Sequence, residues 1–544
     1  MPEIQQQEGE KPGLLSAGHE GRPSIPKAAA ESFSSARWQA ELQEVEQRLA
    51  SDPDSLDLRF RRAFWLSQLG RFADAVKDYR KVLKCEPKHL WALNNLGSVL
   101  MAMGNRQGAR ILLTQAVARH PEDATTRVNL GKILLGDIEE LEAQGKEAQA
   151  LQLKRRACEH YQQALRIRPD YEQAHEGLSY LLGDLGDEQK AAWHREQAFR
   201  NRYILSLPYR GKRAPVQVLL LLATTGGNVH LQKFLDDHIF QTSIVLPEYY
   251  DLNRPLPAHQ LVVNAIGDTE IASRALAAAQ SVLALTKAPV INAPAAVLCT
   301  SRCDNANRFA AIPGVVTPLT VTLPREQLTA ADAAALARAG FEFPLLLRAP
   351  GFHTGQHFLR VDTAEALPAA LAQLPGPELL VIQYLDARGP DGKTRKYRAM
   401  MIGGQIYPLH LAVSSHWKIH YFSAEMADHP EYRAEDAAFL ENMPGVLGPV
   451  AMQALQGIQD ALGLDYGGID FGLNAKGEVL VFEANATMVV NAPEADARWS
   501  YRRPAFQRIQ AAIQRMLLEA ANQDERSSGS LRPCDGPAGG VCAP

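Results

Sequence analysis

Cysteine is scarce in this sequence: six in 544 residues, at positions 85, 158, 299, 303, 534 and 542. None forms a CxxC pair, and Cys299 and Cys303 have no second ligand pair to complete a zinc site. They read as reduced, buried thiols, the usage of a reducing cytosol. Long apolar runs are missing too. The longest aliphatic stretch, Val216 to Ala223, is far short of a membrane span and suits a buried strand. Nor is there an excess of positive charge. The 57 Lys and Arg against 61 Asp and Glu leave a net charge of −4, without the clustered basic face of a nucleic-acid binder. Met1 to Gly13 is polar and acidic, lacking the basic start and apolar core of a signal peptide. These absences predict a cytoplasmic protein with neither nucleic acid nor membrane as partner.

What is present is ordinary globular composition, 46% hydrophobic and 22% charged. The length exceeds what one core supports, so roughly two to four domains are expected. Residues 1–35, rich in Gly, Pro, Ser, Gln and Glu, read as a disordered tail. Helical periodicity then starts with Trp38, Leu42, Val45 and Leu49.

From there the sequence repeats. Gly70 and Gly104, Pro87 and Pro121, and Ala75 and Ala109 are each 34 residues apart. That period, with a turn glycine and a closing proline, is the signature of the tetratricopeptide repeat (TPR), two antiparallel helices per unit. Pro121 to Pro169 spans 48 residues, 14 beyond the period, and Gly145 stands 7 after position 138, where the turn glycine would fall. Each helix of this third hairpin is therefore expected to be 7 residues longer. A fourth unit carries Leu178, Gly186, Ala191 and Ala198, and the array stops near Tyr203. Such a solenoid offers a concave surface for a peptide or protein partner; the plainer alternative is a rigid arm or a self-association surface.

After the basic linker Arg210 to Arg213 the pattern changes. Val216–Ala223, Leu261–Ile266 and Val290–Asn292 read as strands separated by a helix over Glu270–Leu285, which implies a mostly parallel sheet. Loops beyond the carboxyl ends of such strands hold ligands, so Gly226, Gly227, Asn228, Asn264 and Asp268 are candidate lining, although tight turns need glycine anyway.

The strongest local signal is Gly467-Gly468-Ile469-Asp470-Phe471-Gly472-Leu473, then Asn474 to Gly477, then Glu478 to Ala486. It reads as a β-hairpin around a turn-rich tetrapeptide. If 474 pairs with 477, paired numbers sum to 951 and Asp470 faces Val481. Residues 481, 483 and 485 then share the face of Asp470, unless a glycine bulge at Gly477 shifts the register. Two carboxylates and an amide oxygen, Asp470, Glu483 and Asn485, would converge. On an apolar hairpin they call for a compensating cation, and all-oxygen ligands suit magnesium bridging to nucleotide phosphates. A solvent-facing polar edge is the alternative, and Val479 to Phe482 argue against it.

With these residues, the stretch from about Pro289 to Asn491 resembles an ATP-grasp domain of the ribosomal-protein glutamate ligase type. The resemblance makes Asp470, Glu483 and Asn485 metal ligands for Mg²⁺, with Mn²⁺ the alternative ion. Phe343 to Arg348 is similar to the strand whose basic residue meets the ATP phosphates, here Arg348 in place of the commoner lysine. Gly351 to Gly355, with His353, Thr354 and Gly355, corresponds to the loop closing over the phosphates. Val381 to Leu385 resembles the hinge strand, which makes Gln383, Tyr384 and Leu385 nucleotide-binding. Lys396 and Arg398, before Ile402-Gly403-Gly404, resemble the family's basic strand and glycine turn. Lys396 would bind nucleotide, Arg398 would face phosphate or a reacting carboxylate, and His410, Lys418 and His420 fall near further active-site positions. Gly468 stands where the D-alanine ligase branch has arginine, which favours the glutamate-ligase-like branch.

The chain is thus expected to be multidomain. An all-α TPR solenoid over 36–205 precedes an α/β pre-ATP-grasp substrate-side domain over 214–318. An α+β ATP-grasp catalytic domain follows over 319–521, ending in a helix from Ala505 to Ala521, and a disordered tail over 522–544 closes the chain. The implied activity is an ATP- and Mg-dependent ligase joining a small-molecule carboxylate to an amine through an acylphosphate, with the repeats recruiting a partner. Two rivals stand: a TPR scaffold with a degenerate nucleotide-binding module, and a kinase acting on a hydroxyl.

Overall fold

The computed structural model describes residues 35–143, 145–330, 333–351, 355–419, 425–494 and 496–522. Apart from Ser35 and Asn522, the two predicted tails, with Cys534 and Cys542, lie outside these residues, as do His353, Thr354 and His420. The chain divides into two compact units. One combines the first 225 residues with Leu235–His259; the other combines Gly226–Phe234 with the chain from Gln260. The divide runs through the stretch predicted as one substrate-side domain over 214–318.

Among the described residues, the first unit opens with nine helices: α1 Ser35–Ser51, α2 Leu56–Gln68, α3 Phe72–Cys85, α4 Leu90–Ala102, α5 Arg106–Arg119, α6 Ala124–Ala143, α7 Glu147–Ile167, α8 Glu172–Asp184 and α9 Glu188–Phe199. The α1 stripe of Trp38, Leu42, Val45 and Leu49 is buried. Glycines at positive φ close four hairpins: Gly70 at 73°, Gly104 at 78°, Gly145 at 70° and Gly186 at 82°. α4 and α5 have 13 and 14 residues, α6 and α7 have 20 and 21, so the lengthening read from the proline spacing is there, 7 residues per helix. A Cβ on Gly131 would stand 2.7 Å from the Tyr161 ring, and Gly177 meets the same ring from α8. Packing of α7 against both α6 and α8 at Tyr161 therefore needs both positions bare.

Three strands complete the unit: β1 Ile204–Ser206, β2 Val216–Leu221 and β3 Phe240–Val245. β3 runs antiparallel to β1 and parallel to β2. The end of the array is closed by the chain itself. Arg202 forms a buried ion pair with Glu176 of α8, and Phe199 packs near Tyr249. Gln173 and Ser179 on α8 are buried too.

The second unit begins with the parallel pair β4 Leu261–Asn264 and β5 Val290–Ile291, with α10 Ser273–Leu283 between them. Helices α11 Pro294–Leu298 and α12 Arg302–Phe309 follow, then β6 Val315–Val316 and β7 Thr320–Pro324. β8 Leu345–Arg348, β9 Phe358–Val361 and β10 Glu378–Gln383 join β7 in an antiparallel sheet of order β7-β10-β8-β9. β11 Thr394–Ile402, β12 Gln405–Ser414, β13 Tyr466–Leu473 and β14 Val479–Asn485 are antiparallel neighbours in a sheet of order β12-β11-β13-β14-β6, in which β6 runs parallel to β14. Helices Pro430–Glu441 and Arg503–Ala521 pack on this sheet, the latter burying Ile509, Ile513 and Leu517. Asn292, at φ 56°, ties the end of β5 to the start of β13. Its Nδ2 donates to Tyr466 O at 2.7 Å and its Oδ1 accepts from Tyr466 N at 2.9 Å.

The hairpin register differs from the simplest expectation. Asn474 pairs with Glu478 around Gly477, which sits at φ 75°, so the paired sum becomes 952. Phe482 is then an extra residue that raises it to 953, and Asp470 lies opposite Glu483 rather than Val481. Two one-residue shifts cancel in parity, which returns Glu483 to the face of Asp470.

Candidate active site

Strand pairing sets a row of ionisable groups across four strands. Glu483 of β14, Asp470 of β13, Arg398 of β11 and His410 of β12 are successive cross-strand partners. Lys396, two residues before Arg398, shares its face. Asp470 is buried and both its oxygens are engaged. Arg398 donates through Nε to Oδ1 at 2.5 Å and through Nη2 to Oδ2 at 2.8 Å; Lys396 Nζ reaches Oδ2 at 2.9 Å. Burial opposes ionisation of Asp470, but Arg398 and Lys396 outweigh it and hold the carboxyl well below the usual range.

Glu483 opens partly to a cleft. Its Oε1 accepts from Arg302 Nη2 at 2.5 Å and from Asn485 Nδ2 at 2.9 Å. Here too burial works against the charge, while Arg302 and then Arg348 keep the carboxyl depressed. Asn485 therefore turns its amide nitrogen toward Glu483, and its Oδ1 accepts from Thr487.

The cleft, of about 1200 Å³, gathers most of the residues singled out in the sequence: Arg348, Gly355, Gln383, Tyr384, Leu385, Lys396, Arg398, Lys418, Asp470 and Glu483. Arg348 ends β8 and is buried; burial and the neighbouring Arg302 lower its pKa. Gln383 ends β10, where its backbone N–H donates to Leu319 O at 2.8 Å. Lys418 Nζ donates to Gly355 O at 2.6 Å and Phe358 O at 3.2 Å, and burial lowers its pKa. Asn485 lies in an adjoining cleft that shares Arg302, Arg348 and Glu483 as a wall and has Asp268, Glu270 and Ser301 among its other lining residues. His410 lines neither cleft. It is buried beside Arg398, and both effects push its pKa far below the ordinary value, leaving a neutral imidazole.

Sequence reasoning passed over three contributors. Arg302 stands between the two clefts at the first turn of α12, set by Ser301, whose hydroxyl accepts from Asp304 N at 3.1 Å. The Ser-x-x-Asp cap signals the helix start, but not what its first side chain meets. Trp417 and Phe358 form an aromatic wall with Tyr384: the Trp417 ring lies 5.7 Å from Phe358 and 6.3 Å from Tyr384. The wall comes from three separate chain segments, which no local pattern joins.

As a donor set, Asp470 and Glu483 supply hard oxygens directly across one hairpin, which suits a divalent ion such as Mg²⁺. Their charge is met by Arg398, Lys396 and Arg302, which would have to yield to the ion. Among the described residues, the group of three acidic or His side chains with gathered ligand atoms is Asp236, Asp237 and His238, outside both clefts.

Residues 66–129 match the tetratricopeptide-repeat family model. That stretch runs from the end of α2 into α6. No curated protein matches the sequence. Among solved structures, the chain is similar to MamA (residues 41 to the end) from Desulfovibrio magneticus RS-1. Identity is 23% over 31% of this chain and 95% of that one, at a TM-score of 0.24. A second MamA crystal structure shows 18% identity over 30% of this chain and 87% of that one, at a TM-score of 0.25. VanG D-Ala:D-Ser ligase from Enterococcus faecalis shows 14% identity over 57% of this chain and all of that one, at a TM-score of 0.36. Among the described residues, no helix is long and apolar enough to cross a membrane.

Proposed function

We propose that this protein is an ATP-grasp ligase, ATP- and Mg²⁺-dependent, that joins a carboxylate to an amine, and that its repeats recruit a peptide or protein partner. The observation that carries the reading is the row of Glu483, Asp470 and Arg398 at the floor of a cleft walled by aromatic rings. An aromatic wall with an apolar floor at Leu346 and Ile382 suits a purine ring. Beyond it, Lys396, Arg398, Arg348 and Arg302 offer fixed positive charge where phosphoryl transfer develops negative charge.

Asp470, Glu483 and, after rotation of its amide, Asn485 would hold the metal. Bound there, Mg²⁺ offsets charge on the phosphate oxygens. The side chains do the rest. Arg398 and Arg348 would orient the γ-phosphate toward the attacking carboxylate, releasing ADP; the amine then attacks the carbonyl carbon of the acylphosphate, forming the amide C–N bond as inorganic phosphate leaves. Lys418 ties the Gly355 turn to the cleft wall and so limits water there. Gly468 supports the glutamate-ligase-like branch over the D-alanine one, since a Cβ there would come within 3.0 Å of Ala399 O and 2.8 Å of Met488 Cγ, leaving no space for arginine. Of the described cysteines, Cys158 is buried as expected, whereas Cys85 is exposed and Cys299 and Cys303 are half-buried.

The reading is tested by incubating the protein with ATP, Mg²⁺ and paired acids and amines, with ADP release and product mass as readouts. An amide product supports it. A phosphate ester would replace it with the kinase reading, and no turnover together with no nucleotide binding would leave the scaffold.

A further inference from the structure

We infer that Lys396, Arg398 and Arg302 act as resident counter-cations of the metal ligands, so that the divalent ion enters only together with nucleotide. The inference rests on the ligase reading above. Asp470 has both oxygens taken by Arg398 and Lys396, and Glu483 has Oε1 taken by Arg302 at 2.5 Å. Two carboxylates so placed need positive charge at all times, because an unbalanced charge away from water is costly.

Counting charge decides what the cleft accepts. Its lining has five cations, Arg302, Arg348, Lys396, Arg398 and Lys418, against the two carboxylates of Asp470 and Glu483, an excess of three positive charges. A free divalent ion would raise that excess to five and would have to displace Lys396 and Arg398 from Asp470, and Arg302 from Glu483 toward Glu270, which lies 3.9 Å from its Nε. Nucleotide reverses this. ATP brings about four negative charges, so metal and ATP together reduce the excess to about one, and the displaced groups gain phosphate oxygens as partners. Lys396 and Arg302 are thus positioning residues that couple metal to nucleotide.

The test is Mn²⁺ titration of the full chain, read by electron paramagnetic resonance, with and without the β,γ-imido analogue of ATP. The wild type is expected to bind Mn²⁺ at least about tenfold more tightly with the analogue, within the usual range of coupling between sites. Without nucleotide, Lys396→Met and, independently, Arg302→Gln are each expected to bind Mn²⁺ about tenfold more tightly than wild type. A merely structural role would not raise metal affinity. Equal Mn²⁺ affinity with and without analogue, or no gain in either variant, overturns the inference while leaving analogue binding intact. Failure of the analogue itself to bind overturns the ligase reading instead.

A second surface carries an independent inference. Within the first unit, α1, the turn between α2 and α3, and the linker at Arg210–Arg213 enclose a groove of about 1190 Å³. Arg71, Arg210, Lys212 and Arg213 line it, with no Asp or Glu in the lining, on a chain whose net charge is −4. Arg210 is fixed by Gln68 O at 2.7 Å and by Asp237, and Arg71 pairs with Asp74 at 3.1 Å, so Lys212 and Arg213, both exposed, carry the groove's charge; Leu69 and Ile239 supply an apolar floor. We propose that an acidic peptide segment of a partner docks in this groove, at the opposite end of the array from the face of α8 that Arg202 closes. Fluorescein-labelled hexaglutamate, followed by anisotropy on the full chain, is expected to bind saturably and to weaken with salt. Lys212→Glu with Arg213→Glu is expected to lower its affinity at least about tenfold. Absence of saturable binding, equal binding by the double variant, or tighter binding of a short RNA than of the peptide overturns the proposal.

Discussion

Removing Arg398 probes the site where its charges are most tightly coupled. The guanidinium sits on Asp470 through two hydrogen bonds, at 2.5 and 2.8 Å, and Asp470 is 3% exposed. Unit charges about 4 Å apart attract by about 4 kcal/mol at an effective dielectric near 20. Lys396 stays at 2.9 Å and keeps Asp470 partly balanced. Arg398→Met is therefore expected to cost about 2–4 kcal/mol, toward the low side of breaking a buried pair. Asp470→Asn leaves Arg398 and Lys396 facing each other and should cost about as much. The double variant should cost less than the two singles together, by about 2 kcal/mol, because each single strands the other's charge. The assay is native-state hydrogen exchange at the β13 amides, which reads this sheet by itself in a chain of two compact units. Additivity within about 0.5 kcal/mol would refute the reasoning.

Other consequences are separately measurable. Gly177→Ala drives a methyl group into the fully buried Tyr161 ring and should destabilise the repeats by about 1–3 kcal/mol in urea unfolding. Tyr161→Leu in the same background should recover part of that loss, and a neutral Gly177→Ala would contradict the packing account. Burial, then the neighbouring His175, lowers the His194 pKa from 6.5 to about 4. In that window the unfolded chain binds the proton more readily, so stability is present above pH 6.5 and falls toward pH 4. His194→Gln should flatten the thermal midpoint against pH there. Trp417→Ala should weaken binding of the ATP analogue about tenfold, by loss of one aromatic wall, with β13 exchange unchanged.

Much of the fold is written in spacings. The proline and glycine intervals fix the hairpin boundaries and even the two longer helices, because each turn needs a glycine at positive φ. In the second half, the strand residues and the Asp470, Glu483 and Asn485 face are legible from alternation. The path to that face is not: it runs through two register shifts, at Gly477 and Phe482, whose effects cancel. Arg302 and Trp417 reach the cleft through tertiary packing alone. The repeats suggested a concave partner surface, yet Glu176 and Gln173 on α8 are buried, and Arg202 pairs with Glu176. That closure comes from residues outside the repeat and leaves no trace in its period. His410 aligns in register with Arg398 but is buried and lines neither cleft, a distinction that a strand pattern does not carry.

The central claim is that the row of Glu483, Asp470 and Arg398 forms an ATP and metal site. Isothermal calorimetry of ATP binding in Mg²⁺, comparing the intact protein with Glu483→Ala, tests it most directly. The account predicts clear Mg²⁺-dependent binding that Glu483→Ala loses. Absence of binding to the intact protein in Mg²⁺ and in Mn²⁺, or equal binding by the variant, would contradict it.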